Sequence, residues 1–352
     1  MIKFNPTELA TLQDQIISKT VITSVDALGF IKQLNEYWLL TNVSLFGINV
    51  IAKNNLSIRQ NFILARLYYV AGNVSKSNLY ATKGASLFQS MIYDGFYVEG
   101  YSYYKYVDIA RQFYYKNVSC FPGVNITLDY NYAKIAAPDG RVPTTDTHYE
   151  DVIRGTIGTY TDLITREYSI HRRGSSYVFI NHVDYLNAYS MNLHVNYEFG
   201  HFCIYSNGAW QLIHPWYCGY GNKANSPIKN SWNNNIISNG LRTLESWWRY
   251  LPFKSVLKHA YAMNTNGDYV HIFLIGKIKR KLTVTQNSVI VEDTGGSHSN
   301  FNLATNYSYI NLESVSSKSS ISETVGYDCI SGSTVETHKR LKTYGYKVTF
   351  KI

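Results

Sequence analysis

The segment Asp94-Gly95-Phe96-Tyr97-Val98-Glu99-Gly100-Tyr101-Ser102-Tyr103-Tyr104-Lys105-Tyr106 concentrates phenols directly after two glycines, at the mouth of a helix. A phenol titrates near pH 10 and is a poor base in free solution, but a neighbouring cation such as Lys105 favours the phenolate. A phenolate so held can take a weakly acidic C–H proton and later return one to a leaving oxygen, so a single Tyr can serve as base and acid. The reaction this suits is β-elimination on a uronic-acid polysaccharide. There the proton beside a carboxylate is removed and the glycosidic oxygen departs from the adjacent carbon. Such chemistry also needs Asn, His or Arg donors where charge develops on the carboxylate, and a cleft with aromatic floors and cations for the repeating acid.

Composition is compatible with an anionic polysaccharide partner. The chain has 352 residues, of which 45% are hydrophobic, enough to bury a core in one large or two medium domains. Its 33 Lys and Arg against 24 Asp and Glu give a net charge of +9, spread along the chain, and 32 tyrosines offer both rings and hydroxyls to a carbohydrate or a protein interface. A positive charge also attracts nucleic acid, but no recognised nucleic-acid module is present, so no such partner is expected. No apolar run reaches the length of a membrane span, and the N-terminus lacks the layout of a secretory signal. Action on extracellular polysaccharide would then follow export by another route, or lysis. Cys120, Cys203, Cys218 and Cys329 are scattered without C-x-x-C spacing, which predicts free, largely buried thiols and calls for neither a metal nor another cofactor.

The elements that must carry the phenols change character midway. Asn5-Pro6-Thr7-Glu8 supplies an N-cap, a first-turn Pro and a Glu at the third position, followed by Leu9, Leu12, Ile16 and Ile17 at helical spacing. A second helix is predicted to open at a Ser24 cap and to carry Leu28, Ile31, Leu34 and Trp38. Further helical patterns cover 57–71, 76–92, 101–115 and 148–167, as stacked antiparallel pairs. From 176 onward the period falls toward two, as in Ser176 to Ile180, His201 to Tyr205, Tyr269 to Ile275 and Tyr346 to Ile352. Turn signals stand at Asn207-Gly208, Asn239-Gly240 and Asn266-Gly267-Asp268. The expected architecture is therefore α+β: helical pairs over 1–172, then an antiparallel β-sandwich over 173–352, with the Ser-rich stretch near 315–322 an exposed loop.

This order resembles the polysaccharide lyases built as an α/α toroid plus antiparallel sheets, namely the hyaluronate and chondroitin AC lyases and the heparinase II/III-like lyases. Asn35-Glu36-Tyr37-Trp38 resembles the aromatic patch on which sugars stack, and Ala71-Gly72-Asn73 the segment whose Asn neutralises the carboxylate. Asp94-Gly95-Phe96-Tyr97-Val98-Glu99-Gly100 is similar to the Asp-Gly-Phe-Tyr-x-Asp-Gly and Asp-Gly-x-Tyr-x-Glu-Gly words that precede the catalytic Tyr. The hyaluronate lyases place a His where Lys105 stands here, whereas a heparinase-like register matches Tyr103 and Tyr106 to tyrosines. The order of preference for the base is Tyr103, Tyr106, then Tyr104. His148-Tyr149-Glu150-Asp151-Val152-Ile153-Arg154-Gly155 resembles the helix whose Arg lies beside that Tyr. Leu193-His194-Val195-Asn196-Tyr197-Glu198 resembles the His-x-His-x-Asp strand, but Asn196 replaces its second His, which removes support for a metal there.

The resemblance implies an incomplete α/α toroid followed by a sandwich. In it, Asn73 and His194 would neutralise the carboxylate, a Tyr of 103–106 would move the proton, and Arg154 with Glu198 would tune it. Asn35, Tyr37, Trp38, Lys105, Arg141 and His148 would be substrate contacts. Asn233-Asn234-Asn235 with Gly240 resembles a further heparinase-like segment. Each residue also has a purely structural reading: 101–106 as the aromatic face of a packed helix, Asn73 as a helix-end cap, Arg154 as a surface charge, His194 as a satisfied strand histidine, Tyr37 and Trp38 as core. Two other functions stay open at this point. One is a non-catalytic carbohydrate- or receptor-binding protein of a viral particle, against which the lyase reading would be a phage depolymerase; homo-oligomer or virion association is compatible with both. The other is a glycoside hydrolase, which needs two carboxylates about 5 to 9 Å apart; Asp94, Glu99, Asp151 and Glu198 are available, but no motif pairs them.

Overall fold

The computed structural model describes residues 5–37, 43–45, 48–50, 54–93, 96–97, 101–128, 135–141, 143, 157–165, 168–182, 200–212, 235–237, 258–275, 278–295, 298–303, 312–315, 319–327, 334–343 and 347–352. Within some helices and strands, 101–106 among them, it describes the backbone alone. The chain divides into two compact units, one within Met1–Tyr130 and the other within Asn131–Ala188 and Val195–Ile352.

The first unit is helical. α1 (Pro6–Ser18) begins where predicted, with the Asn5 side-chain oxygen accepting the Glu8 N–H at 3.1 Å. α2 (Ser24–Leu34) is capped by Thr23 rather than Ser24. Thr23 Oγ1 accepts the Asp26 N–H, and the Asp26 carboxylate accepts from the Thr23 backbone, so Ser24 becomes the first helical residue. A short hairpin, β1 (Val43–Leu45) with β2 (Ile48–Val50), precedes α3 (Asn55–Val70), α4 (Val74–Met91), a second hairpin of β3 (Ile92–Tyr93) with β4 (Phe96–Tyr97), and α5 (Tyr101–Lys116). α3 packs against α1, α2, α4 and α5. Its first eleven residues are all buried, and several of its polar groups meet partners on neighbouring helices. Gln60 donates to the Leu34 carbonyl at 3.0 Å, Gln13 donates to the Leu56 carbonyl at 3.0 Å, and Arg59 pairs with Asp14. A helix covered on every side needs no single apolar stripe, which explains its weakly amphipathic sequence.

The second unit contains two antiparallel sheets. Its strands are β5 (Asp162–Ile164), β6 (Tyr168–Arg173), β7 (Ser176–Asn181), β8 (Phe202–Ser206), β9 (Ala209–Leu212), β10 (Asn235–Ile237), β11 (Lys258–Thr265), β12 (Asp268–Ile275), β13 (Ile278–Val284), β14 (Ser288–Thr294), β15 (His298–Leu303), β16 (Leu312–Val315), β17 (Ser319–Tyr327), β18 (Thr334–Thr343) and β19 (Lys347–Lys351). Among the described residues one sheet runs β17-β18-β15-β9-β8-β7-β6-β5, with β10 also on β15, and the other runs β11-β12-β13-β14-β19-β16. One core lies between them, with Val178, Ile180 and Phe202 from the first sheet meeting Leu282, Val291 and Phe350 from the second. The tight turns at Asn207-Gly208 and Asn266-Gly267 have positive φ at both residues, as their sequence predicts.

Strict alternation along β13 and β14 would make every inward residue apolar, but the register brings inward Arg280 opposite inward Asp293. Arg280 is 2% exposed. Its Nε and Nη2 donate to the two Asp293 oxygens at 2.8 and 2.6 Å, and its Nη1 donates to the Gly200 carbonyl at 3.0 Å. The guanidinium also lies over the rings of Phe202 and Phe301 in the opposite sheet.

Two expectations are corrected. The helix expected over 148–167 is absent where described: 157–161 is irregular and β5 follows. The cross-strand pairing of β5 with β6 outweighs a helical pattern that mixed Ile157 and Tyr160 with Gly158. β5 and β6, which precede residue 174, belong to the large sheet of the second unit. Finally, Ser319 to Ser322 lie in β17, paired with β18, rather than in a loop.

Asp293→Asn would leave the Arg280 charge buried with half its partner. It is expected to destabilise the protein by about 3–5 kcal/mol, read as a lower urea midpoint. A loss under about 1 kcal/mol would show that the guanidinium reaches water.

Candidate functional site

The turn between α3 and α4 is where sequence and geometry agree most closely. Gly72 takes φ +81°, its N–H bonds to the Tyr69 carbonyl at 2.9 Å, and the Asn73 N–H reaches the Tyr68 carbonyl at 2.7 Å. This is the Schellman arrangement, which needs a residue at ease in the left-handed region. The chain reverses at once, and Asn73 becomes the N-cap of α4, its Oδ1 accepting the Lys76 N–H at 3.0 Å. The cap engages the oxygen of the amide. Asn73 is exposed, and an Asn side chain holding a cap through its oxygen still carries two N–H donors. A cap role and a carboxylate-contact role are therefore compatible in this residue.

The phenol segment enters α5 from the β3–β4 hairpin, with positions 103, 104, 105 and 106 in its first two turns. The side chains of Tyr103, Tyr104, Lys105 and Tyr106 lie outside the described residues. Further along α5, Val107, Ala110, Phe113 and Tyr114 are buried, and Tyr114 packs against Phe62 of α3 and Phe121. Asp108 accepts from Arg111 at 2.9 Å and Gln112 at 2.6 Å on another side. Positions 103 and 106 precede 107 and 110 by four residues and share their register, whereas 104 precedes Asp108 by four.

The remaining expected residues are placed as follows. Asn35 is the exposed C-cap of α2, and Tyr37 is 2% exposed among the core residues. Arg141 belongs to the second unit, half-exposed, with Nε 3.5 Å from Asp139, which also accepts from Trp210 Nε1 at 3.1 Å. Trp38, His148, Arg154, His194, Glu198 and Asn233, Asn234 and Gly240 lie outside the described residues; Asn235 begins β10.

The sandwich holds a group of titratable residues that the sequence did not single out. Asp162 and His171 face each other across β5 and β6, with the Asp162 oxygen 2.6 Å from His171 Nδ1 and 2.8 Å from Arg173 Nη1. His171 Nε2 is 2.8 Å from Nε2 of His271 on β12, in the other sheet, and His271 Nδ1 is 3.2 Å from His182 Nε2. Ser169 Oγ lies 3.1 Å from the same nitrogen, and Tyr269 packs on the His171 ring. Burial tends to raise the Asp162 carboxyl, but hydrogen bonds from His171 and Arg173 hold it below its usual value, so it is an acceptor. His171 Nδ1 then carries the proton and its Nε2 accepts from His271 Nε2, while His182 is also bonded to the Thr165 backbone. The only described sequence signal is a histidine in the apolar run Tyr269-Val270-His271-Ile272-Phe273. Both nitrogens of His271 are engaged by the other two rings, and among the described residues no group of three or more His, Cys, Asp or Glu is arranged to hold a metal ion.

Burial, reinforced by the neighbouring rings, depresses His182 to about 4 and His271 to about 2. Both then bind a proton more readily when unfolded. Their stabilisation is complete above about pH 6.5 and is lost as pH falls toward those values. Two such groups lose about 4 kcal/mol between pH 7 and 5. Urea titrations should show His271→Gln losing about half as much stability as the parent over that interval; equal losses would refute the assignment.

No family model and no curated protein matches the sequence. Among solved structures, the chain is similar to a crystal structure of heparinase III, with TM-score 0.54 and 11% identity over 98% of this chain and 68% of that one. It is also similar to a heparinase III described as the BT4657 gene product, with TM-score 0.52 and 10% identity over 92% of this chain and 62% of that one. The likeness is one of fold, and the chain spans about two thirds of those structures' length. Among the described residues no helix is long and apolar enough to cross a membrane.

Proposed function

We propose that this chain is a polysaccharide lyase that cleaves a uronic-acid-containing, glycosaminoglycan-like or capsular polymer by β-elimination, with its helical part an incomplete α/α toroid. The observation that carries this reading is the fold likeness to heparinase III over 98% of the chain, helices and sheets together. The exposed Asn73 at the α3–α4 turn and a phenol-rich α5 entered from a hairpin supply the chemical groups it needs.

In this scheme the Asn73 amide, joined by His194, donates to the uronate carboxylate and stabilises the negative charge that forms when the neighbouring C–H proton leaves. A tyrosinate of the 103–106 segment, Tyr103 first, takes that proton. The electron pair becomes a carbon–carbon double bond as the glycosidic C–O bond breaks, and the same phenol returns a proton to the departing oxygen. Arg154 favours the phenolate through its fixed positive charge, and Glu198 orients its partners.

Incubation with uronate polysaccharides should raise the ultraviolet absorbance that only an unsaturated uronate produces. Asn73→Asp keeps the helix cap while replacing the amide donors with a charge that repels the substrate. It should keep its melting temperature and lose activity by about 100-fold or more, in the range of one lost transition-state donor. Tyr103→Phe and Tyr106→Phe test the base, and full activity in both would exclude the phenol mechanism. Chain shortening without absorbance would identify a hydrolase instead.

A further inference from the structure

α3 and α4 contain no Asp or Glu, yet they carry Arg59, Arg66, Lys76 and Lys83. Two of these cations serve the fold. Arg59 is buried against Asp14, and Arg66 donates to the Lys19 and Thr20 carbonyls while lying over Phe113. The other two are exposed and lie on one face of α4, with Leu79 and Tyr80 between them at helical spacing. Tyr80 stacks on Tyr68 of α3 with ring centroids 5.3 Å apart and planes within 7°. The Lys76 ammonium sits 5.1 Å from the Tyr68 centroid, and the Lys83 ammonium 5.4 Å from the Tyr80 centroid.

The rings thus give each lysine a fixed neighbour through cation–π attraction, which restrains two otherwise flexible side chains. Burial and the adjacent Tyr68 phenol raise the pKa of Tyr80, so its hydroxyl remains a neutral donor. Leu79 is 50% exposed beside them, which adds an apolar contact to two cations and two phenols. Held cations without a carboxylate on either helix suit a polymer with repeated negative charge. Phenols and an exposed Leu suit the mixed hydroxyl and C–H faces of sugar rings better than a bare phosphate backbone.

We propose that Lys76, Lys83, Tyr68 and Tyr80, with Leu79, form a surface site for an anionic polysaccharide, one that retains the chain of a carboxylated polymer without taking part in its cleavage. It rests on the lyase reading only for the identity of that polymer. The test is binding of the full chain to immobilised heparosan, a uronate polymer without sulfate, at low salt, with dextran and single-stranded DNA as comparisons. Lys76→Glu combined with Lys83→Glu, both at exposed positions, should keep the melting temperature and weaken heparosan binding about tenfold or more. Tyr80→Phe should weaken it to a smaller extent. Unchanged heparosan binding in the double variant, or DNA bound more tightly than heparosan, would overturn the inference. Absorbance of the same samples reports elimination separately. Binding lost in the double variant without product in the parent therefore upholds the site and counts against the lyase reading, and product with binding indifferent to the lysines does the reverse.

Discussion

A guanidinium buried between two sheets must find partners for its charge and its N–H groups before those sheets can close, and Arg280 meets that condition through one residue from each side. Asp293, its partner on the neighbouring strand, takes two of its hydrogen bonds, and the Gly200 carbonyl takes a third. β13 and β14 therefore have one permitted register, since a shift by a single residue would part Arg280 from Asp293 and turn one of them outward. The rings of Phe202 and Phe301 then cover the guanidinium from the facing sheet. The aromatic contacts among Phe202, Phe301 and Phe350 extend from that point into the shared core.

The imidazole chain places a second polar constraint on the same interface. His171 from one sheet and His271 from the other are hydrogen-bonded at 2.8 Å, and the Asp162 carboxylate at the end fixes the proton of His171 on Nδ1. Such a network stabilises only if each member is satisfied, because an unpartnered buried imidazole would retain its full desolvation cost. The sandwich is thus specific as well as hydrophobic, and its specificity depends on the middle rings remaining neutral.

The helical unit uses a different device. α3 is enclosed by its neighbours, and the three residues Ala71, Gly72 and Asn73 end it and start α4 without an intervening loop. That economy fixes where an exposed amide stands relative to the first turn of α4. A functional group at such a turn is held by backbone hydrogen bonds on both sides, which is the preorganisation that a carboxylate contact requires. The same helix pair presents its remaining lysines on stacked tyrosines.

Much of the local structure was legible in the amino-acid order. Asn5 and Pro6 mark the start of α1, Gly72 and Asn73 mark the α3–α4 reversal, and Asn207-Gly208 and Asn266-Gly267 mark two hairpins, because capping and positive φ depend on one or two residues and their nearest backbone. The division into helices and then sheets was legible for the same reason. What lies beyond that range was not. Residues 157–164 carry a helical pattern and yet end in a strand, since β6 offers a ladder that no local term can outweigh. Tyr37 reads as a sugar platform and is only 2% exposed, a burial that local spacing does not specify. The sequence by itself determined the elements, their caps and turns and the phenol-rich helix. Only the tertiary structure decided that His171, His182 and His271 form one chain, that Arg280 meets Asp293 and Gly200, and that Tyr68 stacks on Tyr80. Each of those contacts depends on side chains brought together across strands or helices, which no pattern within a single element specifies.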